Sequence, residues 1–178
     1  MTKPCLLLGA AVLLLLSCQA PVAKNQAVYL NDTVNYAYQI KQSDQWRINV
    51  NKQNILIALK ALKAYESGDT ASLKRFIAEN LAVFYDGGMY KGPSSEFMYL
   101  IKANAQLHKN LRFKIKDWES VVSKDGQQQR VTLRYTQTWI TAKGQPDSVD
   151  IVNDALFSAG KITTLYDYTR RYRLKHNQ

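Results

Sequence analysis

After Asn110 the apolar residues stop recurring every three or four positions and begin to recur every second one. That switch limits what the chain can become. A period of 3.6 belongs to helices and a period of 2 to strands with one buried face. Four strand-like runs follow, at about 111–122, 129–141, 148–158 and 161–170. Their links, "KDGQQ", "AKGQPD" and "SAGK", are short and rich in turn formers, and Asp125-Gly126 is a strong hairpin signal. Short links force antiparallel neighbours, so this half is expected to be a meander.

The preceding stretch reads as helical. Ile55, Leu56, Leu59, Leu62 and Tyr65 form a stripe from Gln53 onward. Gly68 supplies a stop and Asp69 a cap for a second helix that turns Leu73, Phe76 and Ile77 inward and ends near Asn80. "LAVFYDGG" is expected to be a strand entering a glycine turn. A third helix follows Gly92-Pro93, with Phe97, Leu100, Ile101 and Leu107 on its stripe. Earlier, Tyr36, Tyr38 and Ile40 alternate as in a short strand or arm, and Trp46 is expected to pack on the domain. Helices followed by a meander make an α+β domain whose sheet has one face covered by helices. Val131, Leu133, Tyr135, Gln137 and Trp139 should share that face, with Thr132, Arg134, Thr136 and Thr138 on the other. Leu59, Leu62, Phe76 and Leu133 are expected in the core.

The N-terminus carries a different message. Leu6–Leu16 is shorter than the roughly 20 apolar residues a spanning helix needs. With Lys3 ahead and Ser17 behind, it fits a secretory signal. Leu15-Leu16-Ser17-Cys18 resembles the bacterial lipobox, which implies cleavage before Cys18 and lipid on its sulfur. Several acyl chains on one residue anchor a protein far more firmly than a single chain does. Residues 1–17 are then the signal peptide, 18–50 a lipidated tether and arm, 51–172 the domain and 173–178 a basic tail. The expected location is the bacterial cell envelope, with the outer membrane favoured because Gln19 is not an inner-membrane retention Asp. Cys5 would leave with the signal, so the mature chain would have no disulfide.

The formal net charge is +10. Export makes nucleic acid an unsuitable partner, and the basic run "TRRYRLKHNQ" suits either solvent or anionic lipid head groups. With His108 at the end of the third helix, His176 in the tail and no cysteine left in the domain, nucleophilic triads and zinc sites are not expected, and no cofactor or metal is.

The words "ALKALKAYESGDTASLKRFIAENLAVFYDGG", "KGPSSEFMYLI" and "GKITTLYDYTR" resemble the nuclear transport factor 2-like, or SnoaL-like, superfamily over about residues 53–170. "DWESVVSKDG" and "QTWITAKGQPDSVDIVND" resemble Bacteroidetes-type lipoproteins of that superfamily. The resemblance implies a cone: about three helices packed on a curved, mostly antiparallel sheet, with a pocket at its open end. Enzymatic members resemble ketosteroid isomerase, whose cavity Asp works beside Tyr or protonated Asp donors.

Asp86 ends the first strand and suits turn hydrogen bonding as well as a pocket. Asp154 lies mid-strand, where Asp is disfavoured, and faces either solvent or the pocket. Asp117-Trp118-Glu119 has ambiguous parity that a bulge would resolve. Trp118 and Trp139 suit core or pocket lining. Gln137, an amide between two aromatics, needs a hydrogen-bonding partner, a ligand or water. The expected cavity therefore comprises Phe84, Asp86, Trp118, Tyr135, Gln137, Trp139 and Asp154. The favoured role is non-catalytic binding of a small apolar ligand or a partner protein, with a homodimer through the sheet as one form of partner. The alternative is an isomerase, cyclase or dehydratase working through Asp/Tyr acid–base chemistry.

Overall fold

A computed structural model describes Ala37 and residues 46–171. The expected signal peptide, Cys18, most of the tether and the basic tail lie outside the described residues. The chain divides at Ile40–Lys41, and residues 46–171 belong to the second unit, Lys41–Gln178.

The elements of that unit follow in the order β1 (Trp46–Ile48), α1 (Gln53–Glu66), α2 (Thr70–Phe76), β2 (Ile77–Tyr85), β3 (Gly88–Pro93), α3 (Ser94–Leu107), β4 (Lys109–Ser123), β5 (Gln129–Ile140), β6 (Pro146–Ser158) and β7 (Lys161–Arg170). Among the described residues they form one seven-stranded sheet, ordered β1-β4-β5-β6-β7-β2-β3. Strands β4 to β7 are the expected meander, each antiparallel to the next. β2 joins its far side in parallel with β7.

Local chemistry sets the boundaries. Gly68 takes φ 70° after α1, a conformation that costs glycine little. The Asp69 side chain then accepts the Ser72 N–H at 2.9 Å and caps α2. α2 ends sooner than its apolar pattern suggests, because Ile77 already pairs with Ile162 of β7. β3 was not anticipated. Its Gly88–Pro93 run looks like two turn signals, yet it hydrogen-bonds to β2 as an edge strand, where Pro is tolerated. Trp46 pairs with Ser123, so the sheet begins ahead of residue 51, and the Arg130 guanidinium lies 4.7 Å from the Trp46 ring centre.

The core lies between the helices and the sheet face carrying Val131, Leu133, Tyr135 and Trp139, as the β5 alternation requires. α1 presents a different stripe from the expected one. Ile55, Ala58, Ala61 and Ala64 are buried, Leu59 and Leu62 pack partly buried beside the core, and Leu56 is half exposed. Phe76 is likewise partly buried, while Leu133 is 2 % exposed. Leucines carry more apolar area, but the alanines face the sheet and leave space beneath the helix.

Candidate functional site

That space is a cavity of about 610 Å³. Ala58 and Ala61 of α1, Phe97 and Ile101 of α3 and Leu133 of β5 contribute apolar wall. Tyr85, Leu100 and Leu107 also line it and are exposed, which puts them where the cavity meets solvent. Pockets of this size and apolar character are typical small-molecule sites.

Polar side chains interrupt the wall, Tyr85, Tyr90 and Asn104 among them, and Tyr65, Tyr135, Asn153 and Asp167 form one group. Asn153 of β6 stands opposite Asp167 of β7 in the ladder, so both face inward together, and its amide nitrogen donates to the Asp167 carboxylate. Burial pushes the Asp167 pKa above the ordinary carboxylate range; the Asn153 hydrogen bond opposes the shift and the nearby Asp86 charge adds to it. Burial also raises the Tyr65 phenol, with the Asp167 charge contributing. It raises Tyr135 well above the usual value, helped by Asp167 and then by Tyr65. Phe113 holds both tyrosine rings, stacked on Tyr65 at 5.7 Å and edge-on to Tyr135 at 5.2 Å. Two neutral phenols and a carboxyl with a raised pKa can orient a ligand oxygen or exchange a proton with it. Among the described residues no cluster of three or more His, Cys, Asp or Glu could hold a metal.

Of the expected pocket residues, Tyr135 alone lines this cavity. Phe84 faces the other side of the sheet, stacked on Tyr166 at 4.8 Å, because its neighbour Val83 takes the inward position. Asp86 sits in the β2–β3 turn and accepts the Thr169 N–H at 3.1 Å. Asp154 points away from the helices and accepts the Thr132 hydroxyl. Trp118 follows a register shift between Ile115 and Asp117, the bulge its parity called for; it stands opposite Leu133 and is 45 % exposed. Gln137 is half-buried between Phe113 and Val149, away from the cavity. Trp139 is buried, with His108 edge-on at 5.0 Å and the Arg171 guanidinium 5.5 Å from its ring. Trp139 instead borders a separate, more open pocket of about 410 Å³ at the end of β5, with Thr138, Ile140 and Asp147.

Asp167 and Asn153 are among the cavity's polar residues that the sequence expectation lacks. Asp167 in "TTLYDYT" is, like Asp154, an Asp in mid-strand, where the residue is intrinsically disfavoured. In β6 the inward frame is Ile151, Asn153, Ala155 and Phe157, one residue out of step with Asp154.

This architecture, three helices on a curled, mostly antiparallel sheet around a cavity, is the nuclear transport factor 2-like, or SnoaL-like, fold. Solved structures of the same fold include AusH from Aspergillus nidulans (13 % identity, 70 % of this chain and 88 % of that one, TM-score 0.57). An LEH-like epoxide hydrolase of M. tuberculosis also matches (17 %, 68 % and 86 %, 0.55). So does a nuclear transport factor 2-like protein of unknown function from Cytophaga hutchinsonii (16 %, 70 % and 92 %, 0.50). No protein-family profile and no curated protein matches the chain. The fold is shared by enzymes and by proteins of unknown function, so its chemistry resides in the cavity's own residues.

Proposed function

We propose that this chain is a lipid-anchored envelope protein that binds a small, mainly apolar molecule in the cavity beneath α1 and α3. The observation that carries the reading is the 610 Å³ apolar cavity with Asp167, Asn153, Tyr65 and Tyr135 converging on it. An apolar body supplies the driving force, and the few polar groups fix its orientation. Native mass spectrometry of the protein from its own host tests this, with a retained small molecule as the expected result. Ala61→Leu, which narrows the cavity, should lose that molecule while the thermal midpoint holds or rises. A midpoint that falls with the molecule still bound would place the ligand elsewhere.

A second reading, an isomerase-, cyclase- or dehydratase-type cavity enzyme, is favoured by one observation: Asp167 has a raised pKa next to two phenols. The same experiment separates the two. The molecule returned to the protein comes back unchanged from a binder, and chemically altered, in an Asp167-dependent way, from an enzyme.

The anchor reading rests on Leu15–Cys18 following a short apolar run. Cys18→Ala is expected to move the protein from the detergent phase to the aqueous phase. Continued partitioning into detergent would remove the anchor.

A further inference from the structure

The cavity has an unusual charge balance for a chain of net charge +10. No Lys, Arg or His is among the residues that line it, and Asp167 is the sole carboxylate there. The amide nitrogen of Asn153 is committed to that carboxylate, which as an ionised group can accept further hydrogen bonds. Asp86, in the turn behind it, adds negative potential. Lys116 with Asp150 and Arg134 with Asp117 are ion pairs between residues that do not line the cavity. Among the described residues, the cavity wall therefore offers acceptors and a carboxylate with no cationic side chain beside them. Around it stand the rings of Tyr65, Tyr85, Tyr90, Phe97 and Tyr135. Aromatic faces attract cations as well as apolar groups.

We infer that the cavity takes an apolar molecule carrying one protonated amine, with the ammonium seated on Asp167 and the apolar body among the aromatic rings. This rests on reading the cavity as a small-molecule site. A carboxylate-headed molecule such as a fatty acid would bring a second negative charge to Asp167, and like charges at a desolvated site repel. A neutral alcohol donates one hydrogen bond and leaves the carboxylate's charge unbalanced. An ammonium donates and balances it, and charge-assisted hydrogen bonds are roughly twice as strong as neutral ones.

Three probes with one apolar body test the inference: aminoadamantane, adamantanol and adamantane carboxylate, titrated calorimetrically into the intact chain at neutral pH. The amine is expected to bind about tenfold or more tighter than the alcohol, and the carboxylate weakest, the tenfold step corresponding to about 1.4 kcal/mol. Asp167→Asn, checked for an unchanged fold by circular dichroism, should bring the amine down to the alcohol's affinity. Equal binding of amine and alcohol, or a carboxylate that matches them, overturns the inference and leaves the cavity reading standing. So does an amine preference that survives Asp167→Asn. Because the ranking in the unmodified chain is decisive by itself, the test holds even where the variant fails to fold. If none of the three probes binds, the cavity reading falls, and this inference with it.

Discussion

Leu133→Ala is expected to lower the unfolding free energy by about 2–5 kcal/mol, the range for truncating a buried leucine. Leu133 is 2 % exposed in the middle of β5, between Val131 and Tyr135 on the helix-facing side, and it also forms part of the cavity wall. The truncation removes transfer free energy and enlarges a space that is already open, so neighbouring groups have little to collapse onto. Leu59, Leu62 and Phe76 only flank the core, and alanine at each should cost less than at Leu133. A denaturant titration decides it. A loss under about 0.5 kcal/mol at Leu133, the scale of a surface change, would mean that the β5 parity is wrong.

The second large effect is at the Asn153–Asp167 pair. Asn153 is 9 % exposed and its amide supplies the hydrogen bond that favours the charged form of Asp167. Asn153→Ala should destabilise by about 1.5–3 kcal/mol at neutral pH, the worth of a hydrogen bond to a charged group. In the Asp167→Asn background the same change should cost less, because the charge it served is gone; the double-mutant cycle measures the difference. The pH dependence has a definite sign. The folded-state pKa of Asp167 is raised, so the native state holds this proton to higher pH than the unfolded chain does. Stability is then lost as pH rises from the ordinary carboxylate range through the raised pKa, and the penalty is complete above it. Tyr65 and Tyr135, the cavity phenols that feel the Asp167 charge, have raised pKa values and stay neutral over that interval, while Asp86 supplies the neighbouring charge. Asp167→Asn should therefore raise stability at neutral pH, with the gain vanishing in acid. A gain that persists in acid would assign the effect to packing and not to charge.

The order and kind of the elements could be read along the chain because their causes are local. A period of 3.6 or 2 is visible in any window of a dozen residues, and Gly68, Asp69 and Asp125-Gly126 act on their immediate neighbours. The four meander strands came out close to their observed bounds for that reason, and β5 showed its inward face plainly because its apolar residues alternate without interruption. β3 was hidden, since its partner rather than its composition makes Gly88–Pro93 a strand.

The candidate site was decided by tertiary structure, and mostly by single steps of parity. Phe84 or Val83, and Asp154 or Asn153, are choices between adjacent residues that point to opposite faces, and a strand with mixed residues on both faces does not announce which is inward. The ladder settles them by fixing Asn153 against Asp167 and Asp154 against Tyr166. The position of the cavity is a second-order consequence of packing: it opens where α1 turns Ala58 and Ala61 toward the sheet. By itself the sequence determined that a helical half and a meander would enclose one core. Only the packed structure decided that Asp167, which the "GKITTLYDYTR" word carries without marking it, would be the carboxylate on the cavity wall, because burial and the partner strand's register exist only once the strands are paired.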